Sequence, residues 1–380
     1  MNGNQQSCKR PIVPFNHDSQ WTDGYSRMLE VLGMEKKRHP FYVHWELLNL
    51  YRVNRCRRDP EPTEIQAFLQ KLDNPGVAVA MCLLVFSGFL VVASVAGEGS
   101  YDWKTARELY LGIRYAHVEP SVPQKMVVYC LKIDSHTPGL MFYTTPRHAE
   151  WVEGKTETNR QTTRNFIRQS RQKHPKLAVA VNANSFSPWP APFQQEDPTN
   201  IFGLAVSKGT LVSSSNTMPS LLVSKIGKLQ IATVPADGDL SDVETAVSGF
   251  GLCLIDGEVP TTGEDQHPRT GLGLSQDGRY LFLLTIDGRQ PSTPGATVQD
   301  VGNLLKKFGA HTGINMDGGG STTMAWWDPN TEGEDKCRLL NTPVGNGESY
   351  DPRKATAPFA PTERATGNNL GVYFLETSIK

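Results

Sequence analysis

The sequence predicts an α+β protein: a mostly antiparallel or mixed β-sheet body with a few packed helices, preceded by a hydrophobic N-terminal export or anchor segment. Three observations predict it. Along the C-terminal two-thirds, apolar runs of strand length alternate with turn clusters, and the 380 residues hold 34 Gly and 26 Pro. A capped amphipathic helix pattern stands among those runs at residues 297–309. Upstream, residues 77–97 read VAVAMCLLVFSGFLVVASVAG without a single charge.

About 20 apolar residues cross a bilayer core as a helix, and residues 77–97 have no polar face such as a surface helix would need. The run ends in Ser94, Val95 and Ala96, a small-x-small pattern suited to signal peptidase. Either translation starts close to this run and it is a leader, or residues 1–76 are a cytoplasmic part and it is an anchor. Residues 1–76 read as a small or poorly structured region, 98–124 as a lead-in and 125–380 as the main domain. Both readings put the main domain outside the cytoplasm, and the uncleaved one gives it a membrane partner through 77–97. The net charge of −1 gives no support to a nucleic-acid partner. Of the 6 cysteines, Cys130, Cys253 and Cys337 follow the apolar run, and no C-x-x-C pair occurs. A zinc site and a disulfide-stapled scaffold are both disfavoured.

In the lead-in, KTARELYLGI (104–113) reads as a short helix. KMVVYCLKID and LMFYTT then read as strands around the turn SHTPG. Residues 159–172 form a surface helix that sets Arg160, Arg164, Arg168 and Arg171 on one face, a solvated face or a basic patch. Leu177 to Val181 is a buried strand with Asn182 and Asn184 at its exit. Hairpin turns follow at Lys208-Gly209 and at Ile226-Gly227-Lys228, and further strand signals lie in 248–259. The clearest hairpin is 271–288, with Gln276-Asp277-Gly278 between two apolar arms. Thr297 is the expected N-cap of the next helix, with Asp300 in its first turn. Val298, Val301, Leu304, Leu305 and Phe308 make its apolar stripe, Lys306 and Lys307 its last turn, and Gly309 its C′ residue. Residues 329–364 form a polar, Pro-rich loop or lid, and GNNLGVYFLE is a last strand.

The candidate chemistry gathers at strand ends in the C-terminal half. His267, Arg269 and Thr270 precede one arm of the long hairpin, and Asp287 and Arg289 follow the other, so its register makes Arg269 and Asp287 neighbours. Asn315 and Asp317 end the strand after the helix, ahead of Gly318, Gly319 and Gly320. Three glycines free the backbone for a turn whose N–H groups face an anion. Ser321, Thr322 and Thr323 add hydroxyl donors, and Arg269 and Arg289 add forked ones suited to phosphate. No Gly-Lys-Ser/Thr follows at Walker spacing, and Ser321 lacks a nucleophile elbow. Read alone, the turn is equally a tight bend with an Asx cap.

The ordered set HPRTGLGLSQDGRYLFLLTIDGRQ, INMDGGGSTTM and NNLGVYF, with VNANSF upstream, resembles the phosphodiester glycosidase family from about Lys125 to the end. The resemblance implies hydrolysis of a sugar joined through its anomeric oxygen to a phosphodiester. Because a phosphate monoester is a good leaving group, acid assistance matters less than in other glycosidases. The catalytic set it implies is Asp317 first, Asp287 second, with Arg269 and Asn182. Substrate and phosphate contacts fall to Arg289, His267, Asn315, Gly318, Gly319, Gly320, Ser321 and Thr322. Asn182 and Asn315 orient sugar hydroxyls or water, and Trp326 and Trp327 either stack on the sugar or lie in the core. The expected partner is a glycan or sugar phosphodiester. No cofactor is called for, and no motif demands a divalent metal between Asp287 and Asp317. Two rivals use the same residues: a non-catalytic envelope module binding anionic glycans, and a phosphodiesterase attacking phosphorus.

Overall fold

The computed structural model describes residues 100–188, 194–291, 293–345 and 361–375. The N-terminal region, the expected export or anchor segment at 77–97 and residues 346–360 of the expected lid lie outside them. Among the described residues no helix is long and apolar enough to cross a membrane.

The strands pair as their alternation requires, and every named ladder is antiparallel. The largest sheet runs Arg107–Tyr110, Ile113–Val118, Val128–Asp134, Tyr280–Ile286, Arg269–Leu274, Thr312–Asn315, Gly251–Leu254. The long hairpin is therefore its middle, with Arg269 opposite Ile286 beside Asp287, as expected. The strand leading to Asp317 joins the same sheet, with Asn315 opposite Gly271. A second sheet runs Cys337–Leu339, Met324–Trp327, Leu177–Asn182, Asn369–Phe374, Leu140–Thr144. A third is made of Thr210–Ser213, Ala205–Ser207, Val243–Ser248, Pro219–Ser224 and Leu229–Thr233.

The lead-in is not helical. Arg107–Tyr110 and Ile113–Val118 form a hairpin turning at Gly112, whose φ of 74° only glycine adopts easily. Helix-forming residues lose here to tertiary pairing: Ile113–Val118 lies along Val128–Asp134 over its whole length, which fixes this segment as the sheet's edge.

One core lies where the three sheets meet, with Leu131, Leu272 and Leu283 from the first, Val179 and Leu370 from the second, and Leu221 and Val247 from the third. The other face of the largest sheet carries helix α2, Val298–Phe308 (numbered after helix α1, Thr163–Ser170). Its capping box is present: the Thr297 hydroxyl accepts from the Asp300 N–H, the Asp300 carboxylate accepts from the Thr297 N–H, and Gly309 ends it at φ 108°. Val301, Leu305 and Phe308 are buried, each worth about 2 kcal/mol by transfer. The glycines of GLGL explain the fit: a Cβ at Gly271 would lie 2.7 Å from Val301, and one at Gly273 2.9 Å from Leu305.

Helix α1 is capped by Thr162 and buries Phe166 and Ile167 against the second sheet. Its arginines form neither a solvated face nor a free basic patch. Arg164 pairs with Glu363, Arg168 with both oxygens of Asp335, and Arg171 donates to the Leu177 carbonyl and stacks 4.1 Å from the Trp327 ring. Arg160 is buried over the Phe186 ring. Trp326 lies in the central core, so both tryptophans have partners within the protein. Cys130, Cys253 and Cys337 are buried free thiols.

Candidate active site

Two sheets meet at one buried amide. Asn182, the last residue of its strand, accepts from the Thr270 hydroxyl (2.8 Å) and the Thr323 N–H (3.1 Å) through Oδ1. Its Nδ2 donates to the Asp317 carbonyl at 2.7 Å, and the Asp317 N–H reaches the Ala183 carbonyl at 3.3 Å. The sequence offered Asn182 as a catalytic or sugar-orienting residue. Its side chain holds strand exits of two sheets together, with Asp317 as the residue so placed. Asn184, wholly buried, does the same one step along, bonding Phe202, Leu204, Ser248 and Asn368.

Beyond Asp317 the chain makes one 3₁₀ turn, Gly319–Ser321. Gly319 sits at φ 61° with its N–H on the Pro268 carbonyl at 2.8 Å. The three glycines are required by what lies against them. A Cβ on Gly318 would be 2.8 Å from the Pro268 carbonyl, one on Gly319 3.2 Å from the Arg289 guanidinium, and one on Gly320 2.4 Å from that of Arg364. Two guanidinium groups therefore lie against this turn.

Arg289 is one the sequence named. It sits in the left-handed region at φ 55°, unusual for a side chain of its size, and its Nη2 lies 3.3 Å from His267 Nδ1. Burial, with Arg289 and Arg269 nearby, lowers the His267 pKa, so the ring is neutral at pH 7. Arg269 is beside the site but differently employed: Nε donates to the Ala296 carbonyl at 2.9 Å and Nη2 to that of Asp265 at 2.7 Å. The second guanidinium against the turn is that of Arg364, which lies at the end of the polar segment 329–364. Arg364 is 3% exposed. Glu363 anchors it by pairing with Arg164 and accepting an α1 N–H, while residues 344 and 362 bridge in parallel at Gly345, where only glycine leaves room for the Arg364 backbone. The usable signal was the sequence Thr362-Glu363-Arg364, an acid and a base just ahead of the last strand.

The two carboxylates have different surroundings. Asp287 is buried, and protein donors meet both oxygens: Thr342 N–H at 3.0 and 3.2 Å, Asn341 Nδ2 at 3.1 Å and the Tyr129 hydroxyl at 3.2 Å. Burial pushes its pKa up to about 6 even so. Asn341 also donates to the Thr322 carbonyl and accepts from the Met324 N–H, so Asp287 ties the 341–342 segment to the site's floor. With its lone pairs taken by donors, Asp287 has little left to offer a substrate or a cation.

Asp317 is half-buried and its Oδ2 has no hydrogen-bond partner. Burial raises its pKa to about 6, opposed by the Ser321 hydroxyl, the Arg364 charge and the Gly318 N–H. Ser321 is close enough to lower that pKa, yet its Oγ makes no well-directed bond. Asn315 Oδ1 and Thr323 Oγ1 are also buried without partners. Buried polar atoms are ordinarily bonded, so four unmet ones between Asn315 and Thr323 mark this segment as unusual.

A family model for phosphodiester glycosidases matches residues 159–373, which include every residue of this cluster. The chain belongs to the phosphodiester glycosidase family. Among solved structures it is similar to the catalytic domain of zebrafish N-acetylglucosamine-1-phosphodiester alpha-N-acetylglucosaminidase, auto-inhibited by its pro-peptide. That match has 17% identity, covers 71% of this chain and 87% of that one, and has a TM-score of 0.49. A hypothetical protein from Synechocystis is 13% identical over 70% of this chain and 62% of that one, with a TM-score of 0.44. The SPbeta prophage-derived uncharacterized protein YomE of Bacillus subtilis (strain 168) is 26% identical over 184 residues, 44% of this chain. The matched part spans 26% of that relative's length.

Proposed function

We propose that this phosphodiester glycosidase hydrolyses glycosyl-1-phosphodiesters, releasing the free sugar and a phosphate monoester. The observation that carries the reading is Asp317, whose Oδ2 is buried without a hydrogen-bond partner, set near Arg364 at a turn that Arg289 also faces. The phosphodiester lies on the guanidinium groups of Arg289 and Arg364; the expected amide seat is closed to it, because the N–H groups of Gly319, Ser321 and Thr322 are bonded to the carbonyls of Pro268, Gly318 and Gly319. Water attacks the anomeric carbon as its bond to the phosphate oxygen breaks. That electron pair goes to the phosphate, whose growing charge the arginines stabilise. Ionised Asp317 takes the proton from water and offsets the positive charge that builds on the sugar. Ser321, Asn315 and Thr323 offer hydrogen bonds to sugar hydroxyls or to the attacking water. In this reading the uncharged segment 77–97 places the domain outside the cytoplasm, secreted or anchored, where glycan phosphodiesters are accessible.

The test is turnover of a panel of sugar-1-phosphodiesters by wild type and Asp317→Asn, read as free sugar. We expect release by wild type and a loss of about a thousandfold or more in kcat for the variant, with an unchanged fold. Tight binding of the panel by wild type without any turnover would make the protein a binding module.

A further inference from the structure

A second site lies at the far end of the largest sheet. Asp287 and Tyr280 mark the two ends of one strand, which separates this end from Asp317's surroundings by about 20 Å at ~3.3 Å per residue. A cavity of about 600 Å³ opens there, walled by Trp103, Tyr280, Leu111 and Pro138. Lys104, Arg114, Lys132 and Arg279 face it against the carboxylates of Glu108 and Asp134, four cations to two anions.

The balance is more uneven than the count. Asp134 is committed to Arg279, which grips both its oxygens at 2.9 and 2.7 Å. Glu108 accepts the Gly112 N–H at 3.3 Å, and Arg114 donates to the Trp103 carbonyl at 2.7 Å. Half-buried Lys132 projects from the middle of the sheet, its Nζ 3.9 Å from the centre of the Tyr280 ring and 5.7 Å from that of Trp103. No carboxylate lies within ion-pair distance of it among the described residues. Burial lowers its pKa, with Arg114 and Arg279 adding to the effect and the nearby Asp134 and Asp277 opposing it. Rings hold the ammonium's faces while its remaining donors stay open to the cavity.

We propose that this cavity binds a phosphorylated sugar, free or at the end of a glycan chain, with Lys132 and Arg114 on the phosphate and the apolar wall against the sugar ring. The volume exceeds what a bare phosphate fills and suits a monosaccharide phosphate. The site is separate from the hydrolytic one and stands whether or not that reading holds.

Calorimetry with glucose 1-phosphate, inorganic phosphate and glucose as probes tests it, in an Arg289→Gln background that weakens binding at the other turn. We expect glucose 1-phosphate to bind tighter than either fragment, Lys132→Met to weaken it by about tenfold or more, and Lys132→Arg to restore it. Arg114→Gln is the second variant, expected to act like Lys132→Met and, made in the otherwise wild-type protein, to leave phosphodiester turnover unchanged. Equal affinity for glucose 1-phosphate with and without the Lys132 and Arg114 substitutions overturns the proposal, as does inorganic phosphate binding as tightly as the sugar phosphate.

Discussion

At the residue scale, the account turns on which protonation state of Asp317 works. Its pKa of about 6 means that it is mostly ionised at pH 7 and mostly neutral at pH 5. As the acceptor of water's proton it must be ionised, so kcat/KM should climb about tenfold per pH unit below ~6 and level off above it. A profile falling across the same window would make Asp317 the acid and reverse its role. The arginines separate in the same way. Arg364→Gln should cost about a hundredfold in kcat/KM, measured on the folded variant. Arg269→Gln strands two backbone carbonyls and should cost about 1–3 kcal/mol of stability, with a smaller kinetic effect. Kinetics and denaturant melts on the two purified variants distinguish these outcomes.

At the element scale, the legible parts were those with strong local signals. The hairpin 271–288 has a turn and two apolar arms, and α2 has both caps, so each formed where the pattern placed it. The strand to Asp317 joined the hairpin's sheet, with Ile314 opposite Leu272. What escaped detection was decided by pairing at long range. The lead-in carries good helix formers, yet it is an edge hairpin because Ile113–Val118 finds Val128–Asp134. Arg364 escaped because what buries it is far away in sequence: Glu363's hold on α1 and the missing side chain at Gly320. Asn182 was legible as a strand-exit asparagine, but its bracing of two sheets was not, since such an asparagine looks the same in sequence whether it faces a substrate or braces the chain. The glycines of α2's surroundings test the packing account. A Cβ at Gly302 would lie 2.0 Å from the Cys253 carbonyl, so Gly302→Ala should destabilise by about 3 kcal/mol or more, read by urea unfolding, although alanine is the better helix former.

At the scale of the whole molecule, the fold is a means of bringing strand exits from two sheets to one place and leaving a carboxylate there at an energetic disadvantage. The folded-state pKa of Asp317, about 6 against an ordinary 3.8, means that the fold favours its neutral form. That preference is fully met below about pH 4 and is lost as pH rises through about 6, a loss on the order of 3 kcal/mol. Asp317→Asn removes the charge, so the variant should be more stable than wild type at pH 7, with the gain shrinking as pH falls to 4. Paired melts at the two pH values measure it, and an inactive but more stabile variant is the usual mark of a group kept for function.

The most direct test of the central claim is to run the hydrolysis in water enriched in heavy oxygen and locate the label. Attack at the anomeric carbon predicts the label in the released sugar and none in the phosphate monoester. Label in the phosphate, with none in the sugar, would move the attack to phosphorus and contradict the assignment of Asp317 and its two arginines to glycosidic cleavage.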